Sequence, residues 1–135
     1  MFTRNKPSGF VPAIVLLVVS AFGSGLTQSA ELLVLEEKHC PYCQKFNREI
    51  APFYHKTDEG QQAPLRRILL TDPWPEDLGN VTPDTATPTF ILVHNHHEVG
   101  RIRGYQGDEF FWFLLSELIN KIPEVNASPD GLQQK

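Results

Sequence analysis

The chain has 135 residues, a length that suits one domain. Hydrophobic residues make up 41% and charged residues 21%, with a formal net charge of −4 at pH 7. That acidic balance argues against nucleic acid or an anionic membrane surface as a partner, and two cysteines are too few for a stabilising disulfide framework.

Residues 1–30 have the layout of a secretory signal peptide. Arg4 and Lys6 form a basic start, and Phe10 to Phe22 is an apolar run of 13 residues. Small and polar residues follow in "GSGLTQSA". The run is short of the ~20 residues that a membrane span needs. Cleavage is therefore expected, with an uncleaved anchor as the alternative if Gly23 to Leu26 join the span. A cut after Ala30 would put Gln28 where a small residue is preferred, and cuts after Gly25 or Ser29 also fit. No cysteine lies near this junction, which excludes a lipid anchor on cysteine. Without Arg4 and Lys6 the chain keeps 10 basic against 16 acidic residues, a net charge of −6. The domain expected over residues 31–122 would then be periplasmic, meet the membrane only during export, and work where thiols can oxidise.

Glu31–Glu37, "ELLVLEE", reads as a strand. Pro41–Ala51 reads as a helix, with Cys43, Phe46 and Ile50 on one face. Pro41 suits its first turn, and Pro52 ends or kinks it. His55–Pro64 is a polar connection, and Leu65–Leu70 a second strand. Thr71–Pro88 contains four prolines and has room for a short helical turn near Glu76 to Leu78. Thr89–Val93 is a buried strand by its branched and aromatic content. "HNHHE" is a turn, and Val99–Tyr105 the partner strand of a hairpin, with a bulge expected at Gly100. Asp108 is expected to cap a last helix over Glu109–Ile122. Its apolar stripe is Phe110, Phe111, Leu114, Leu115, Leu118 and Ile122. Pro123 stops the helix, and residues 123–135 read as a disordered tail. The order strand, helix, strand, loop, strand, strand, helix predicts an α/β domain. Its mixed sheet joins a βαβ unit to a ββα unit, with helices flanking it.

"HCPYC" carries the chemistry. Cys40 follows a strand and begins a helix, where unpaired N–H groups and the helix dipole favour a thiolate. Cys43 lies one turn on, near enough to close a disulfide, and on the apolar face with Phe46. These positions suit Cys40 as the attacking thiol and Cys43 as the resolving one. Two other readings compete. A disulfide over two intervening residues removes little chain entropy, so it makes a poor staple. A CxxC pair is also half of a zinc site. No second CxxC exists, so histidines would have to complete that site in a metal-binding or metallochaperone module.

The chain resembles the thioredoxin superfamily over Glu31 to about Ile122. The resemblance rests on "CPYC" after a strand, on "TATPTFILV", and on a hairpin ending in "GRIRGY" before a helix. Within that superfamily it is similar to the periplasmic thioredoxins of SoxS type. The stretches "CPYCQKFNREIAPFY", "APLRRILLTDP" and "EVGRIRGYQGDEFFWFLL" carry the narrower match. The resemblance implies a thioredoxin-like fold and a thiol–disulfide oxidoreductase that needs no bound cofactor or metal. It implies Cys40 and Cys43 as the redox-active pair, flanking Pro41 and Tyr42. Pro88 would be cis, leaving the Thr87 backbone free to pair with an extended substrate. Thr82-Pro83 competes for that role but lies far from the strand. The implied partners are a protein disulfide or persulfide, such as one on a sulfur-oxidation carrier, and a membrane thiol as electron donor.

Departures from the family pattern are equally specific. Val34 stands where thioredoxins keep a buried aspartate; Glu36 and Glu37 are the candidate substitutes, and strand alternation does not settle their placement. The long helix between the middle strands is replaced by the proline-rich loop. A glutaredoxin-like, glutathione-dependent reductase shares the Pro-Tyr dipeptide. It loses support from the missing Gly-Gly pair and from the export signal.

Seven residues outside the motif also stand out. His39 would favour a thiolate if protonated, or is a plain exposed residue. His94, His96, His97 and Glu98 offer metal ligands in a turn with no fixed geometry. Trp112 and Phe113 fall off the apolar stripe, where they either cover a partner or pack at the sheet edge.

Overall fold

The structure, a computed structural model, describes residues 30–123. The expected signal segment and C-terminal tail lie outside the described residues, apart from Ala30 and Pro123 at their borders. Among the described residues, no helix is long and apolar enough to cross a membrane.

Four strands form one mixed sheet in the order β2-β1-β3-β4. They are β1 (Glu31–Glu36), β2 (Leu65–Leu69), β3 (Thr89–His94) and β4 (His97–Arg103). β1 runs parallel to β2 and antiparallel to β3, and β3 and β4 form a hairpin. The βαβ and ββα units expected from the element order are both present. β1 and β3 are buried on both faces, as their unbroken apolar runs require.

Alternation along the strands divides the core in two. Leu32, Val34, Phe90 and Leu92 face the helices, where Phe46, Phe111 and Leu115 meet them. Leu33, Leu35, Ile91 and Val93 face the opposite way, against Leu78, Val81 and Trp74. The proline-rich loop therefore covers a whole sheet face. Its single 3₁₀ turn, Glu76–Leu78, is the turn expected there. The Trp74 indole donates to the Leu78 carbonyl at 3.1 Å and ties the loop to itself.

The helices depart from expectation in three places. α1 spans Pro41–Glu49, and the chain re-enters a helix as α2, Ala51–Tyr54. Pro52 is the cause: it has no N–H for the preceding turn, and its ring would meet the carbonyl four residues back. The segment read as a polar connection holds a short helix, α3 (Asp58–Gln62). Thr57 caps it, its Oγ1 accepting from the Gly60 N–H at 3.0 Å. Gly60 is obligatory, since a Cβ there would fall on the Tyr54 carbonyl.

The last helix, α4, spans Asp108–Ile119, and its N-cap is Gly107 rather than Asp108. Gly107 has φ 131°, a conformation that disfavours side chains. Asp108 instead joins Glu109 in the first turn, where negative charge suits the helix dipole. The buried stripe is Phe111, Leu115, Leu118 and Ile119, with Ile122 just beyond the helix. Phe110 lies outside that stripe and is exposed. Trp112 packs at the edge, stacked on Tyr54 with ring centroids 5.9 Å apart.

The hairpin turn is shorter than expected. Only Asn95 and His96 form it, both at positive φ, so His97 and Glu98 belong to β4. A two-residue turn with both φ values positive matches the right-handed twist of the strands. The bulge falls at Val99: Leu92 pairs with Gly100, and Val93 with Glu98. Gly100 serves a different purpose. A Cβ there would lie 2.6 Å from the Leu118 side chain, so the glycine lets α4 approach the sheet.

Candidate redox site

Cys40 is the N-cap of α1, in extended backbone conformation, and Pro41 occupies the first turn. The cysteine takes the place usually held by Ser or Asp. Its Sγ accepts a hydrogen bond from the Cys43 N–H at 3.1 Å. A disulfide joins Cys40 to Cys43, whose Cα atoms are 5.2 Å apart. Both are buried, Cys43 at 2% exposure and Cys40 at 6%, so the difference in access between them is small. When the pair is reduced, the same N–H and the helix dipole favour negative charge on Cys40 Sγ.

The Thr87–Pro88 peptide bond is cis, and Thr82–Pro83 is not. Thr89 pairs with Leu35, so continuing the register sets Pro88 opposite Glu36. That is the end of β1 from which the chain runs on to Cys40. The Pro88 carbonyl accepts from the Gly104 N–H at 2.8 Å, which ties it to the end of β4. Among the described residues, the Thr87 N–H and C=O bond to nothing.

Tyr42 is 61% exposed beside the cysteines. With Lys45, Gly104, Tyr105 and Gln106 it lines an open groove of about 380 Å³. Lys45 Nζ lies 5.6 Å from the centre of the Tyr105 ring, within reach of a cation–π contact. The Tyr105 hydroxyl donates to Glu49 at 2.8 Å. Burial and the Glu49 carboxylate both raise its pKa, so it stays a neutral donor. A second groove, of about 280 Å³, lies on the other flank, lined by Glu36 to His39 with Leu69 and Thr71.

Val34 is fully buried among Phe46, Phe90 and other apolar groups. Glu36 shares its face of the strand, while Glu37 is exposed beyond the strand end. Glu36 is already engaged: Arg67 donates to both its oxygens at 2.9 and 3.0 Å, and Asn47 donates at 3.2 Å. His39 is exposed at the start of the motif. Among the described residues, no three His, Cys, Asp or Glu side chains converge as a metal-ligand set.

One cluster at this end of the sheet escaped the reading of the sequence. Asp84 Oδ1 accepts from the Ala86 N–H at 3.1 Å, and Oδ2 from Arg101 at 2.9 Å and Arg103 at 2.7 Å. Arg101 also donates to Glu98 and to the Thr82 carbonyl. The Thr89 hydroxyl bonds the Ala86 carbonyl at 2.8 Å. The strand bearing Arg101 and Arg103 thus clamps the segment that leads into Thr87–Pro88. Two signals for this cluster exist in the sequence. Asp84 stands two residues before Ala86, the spacing of an Asx turn, and Arg101 and Arg103 alternate on one strand face.

The Ala86 N–H, Arg103 and Arg101 together hold the Asp84 carboxyl at about 2, below its usual 3.8. A depressed folded-state value adds stability above the unfolded pKa, and that contribution is lost as pH falls towards 2. Melting temperature is therefore expected to drop between pH 4 and pH 2. Asp84→Asn, which keeps the Ala86 contact but loses the charge, should flatten part of that slope by a few degrees. Identical slopes for the two proteins in thermal melts at pH 5, 3 and 2 would remove this role from Asp84.

A βαβ unit joined to a ββα unit, with a CxxC at the first helix and a cis-proline at the neighbouring strand, defines a thioredoxin-like fold. The chemistry of that class is thiol–disulfide exchange. No protein-family model and no curated protein matches the chain. Among solved structures, the periplasmic thioredoxin SoxS from Paracoccus pantotrophus, in its reduced form, is 44% identical. The match covers 69% of this chain and 98% of that one, with a TM-score of 0.66. The chain belongs to the thioredoxin family and is a thiol–disulfide oxidoreductase. A Thermus thermophilus thioredoxin (21% identity, 73% and 79% coverage, TM-score 0.53) shares the fold. So does the Malassezia sympodialis thioredoxin Mala s 13 (14% identity, 67% and 75% coverage, TM-score 0.50).

Proposed function

We propose that the protein is an exported, periplasmic reductant of protein disulfides or persulfides, acting on a partner such as a sulfur-oxidation carrier protein. The hydrogen bond from the Cys43 N–H to Cys40 Sγ carries the assignment of roles. The likeness to a periplasmic thioredoxin, together with the signal-like residues 1–30, supports the compartment.

In the reduced enzyme, the Cys40 thiolate attacks one sulfur of the substrate disulfide. A Cys40–substrate bond forms, the substrate S–S bond breaks, and the other substrate sulfur leaves as a thiolate. Cys43 loses its proton and attacks Cys40 Sγ, forming the Cys40–Cys43 disulfide and releasing the second substrate thiol. Two electrons pass to the substrate. With a persulfide, one thiol and one hydrosulfide leave instead. A membrane thiol donor of the same two-electron class restores the dithiol. The unpartnered Thr87 backbone, with Pro88, pairs with the substrate strand, and Pro41 and Tyr42 line its path.

The test is a trap. Cys43→Ala, expressed in the native periplasm, should hold a partner protein through a disulfide on Cys40 that reductant releases. The reading fails if no partner is caught and the reduced wild-type protein exchanges with no model disulfide.

A further inference from the structure

α4 carries four aromatic side chains and presents two of them to solvent, while Phe111 is buried and Trp112 half-buried. Phe110 is 49% exposed and Phe113 60%, and residues at i and i+3 share one helix face. They line a groove of about 310 Å³ with Gln106, Gly107, Asp108 and Glu109. Gln106 also lines the groove beside Tyr42 and Lys45. The two depressions adjoin at Gln106 and together mark a track from the redox motif to the exposed face of α4. The charges at its two ends are opposite. Lys45 stands near the cysteines, and Asp108 and Glu109 stand at the far end. Neither carboxylate forms an ion pair or side-chain hydrogen bond among the described residues.

We infer that this track is a second docking surface for the substrate protein, taking a segment that carries apolar side chains beside a Lys or Arg. The inference rests on the oxidoreductase reading and extends it from the exchanging sulfurs to their flanking sequence. Apolar side chains of the segment cover Phe110 and Phe113, and its cation meets Asp108 and Glu109. A second copy of this chain, which in an antiparallel pair would set Lys45 against Asp108 and Glu109, is the competing occupant that sedimentation tests.

The test uses the reduced protein with three disulfides. One is a cysteinyl peptide flanked on both sides by Leu and Lys, as its mixed disulfide with thionitrobenzoate. The second carries Gly and Asp flanks at equal length, and the third is 2-hydroxyethyl disulfide. The Leu/Lys peptide should show a KM about tenfold lower than the Gly/Asp peptide. The double variant Phe110→Ser/Phe113→Ser should erase most of that preference and leave 2-hydroxyethyl disulfide turnover unchanged. Asp108→Asn/Glu109→Gln should weaken the preference several-fold and remove its salt dependence. Equal KM values for the two peptides in the wild type would overturn the inference without any variant. So would an equal loss on all three substrates, or a wild-type dimer in sedimentation that the Phe double variant dissociates. Failure of the wild type to reduce any of the three would instead sink the oxidoreductase reading itself.

Discussion

Cys40→Ser should abolish disulfide reduction and leave the fold intact. Serine is a preferred N-cap, and its hydroxyl can take the hydrogen bond that Cys40 Sγ now accepts from the Cys43 N–H. α1 therefore keeps its first turn. What goes is the nucleophile, because a hydroxyl does not ionise near neutral pH as a capped thiol can. Turnover of 2-hydroxyethyl disulfide should fall by roughly two orders of magnitude or more. The buried Cys43 lies inside the first turn and is itself the donor of the capping N–H, so it cannot take over. Stability should change little, since a disulfide closing so short a loop constrains little of the unfolded chain. Retention of a tenth of the activity would move the attacking role away from Cys40.

Phe46→Ala should fail in the opposite way. Phe46 is fully buried on α1, one turn after Cys43. Its ring centre lies 4.7 Å from that of Phe90, 5.3 Å from Phe111 and 5.7 Å from Tyr105. That one side chain joins α1, the sheet, α4 and the groove beside the redox pair. Truncation removes the ring and leaves a cavity that four separate elements cannot close together. The cost is about 3–5 kcal/mol. A domain of this size holds about 5–15 kcal/mol in all, so the variant sits near the edge of folding. Urea titration should show a lower midpoint with an unchanged slope. Activity per folded molecule should stay close to wild type. A loss under ~1 kcal/mol would mean that the aromatic cluster is not the keystone of this core.

These two residues also show what the sequence makes legible. Cys40 and Phe46 sit in a helix whose start, period and buried face follow from local rules. The same rules located the hairpin and the 3₁₀ turn near Glu76 to Leu78. Misses arose where local signals were weak or a distant partner decides. α3 has no apolar face, so only the Thr57 cap betrays it. Asp108 looked like a cap, but Gly107 reaches a backbone conformation that Asp108 would resist. Phe110 belongs to the apolar pattern, yet the buried face turns towards Ile119 instead. The Asp84 clamp links residues 17 apart in sequence through the hairpin, so it needed the strand register. Val34 was legible in identity but not in consequence. The structure adds that Glu36 shares its face and is already paired with Arg67.

The two faces of the sheet are covered by different kinds of chain. Helices α1 and α4 seal one with internally bonded backbone. The other is closed by a loop whose ordered backbone amounts to one 3₁₀ turn, held by the Asp84 clamp, the Trp74 contact and the Arg66–Asp77 ion pair to β2. Opening that loop breaks few backbone bonds and leaves the cysteine side packed. Amides of the loop itself are therefore expected to exchange with solvent sooner than those of α1, which hydrogen exchange would show. Thr87–Pro88 joins that loop to β3. A substrate strand pairing at Thr87 would therefore fasten the end of the loop as well as seat the sulfur, and exchange of the loop amides should slow when it binds.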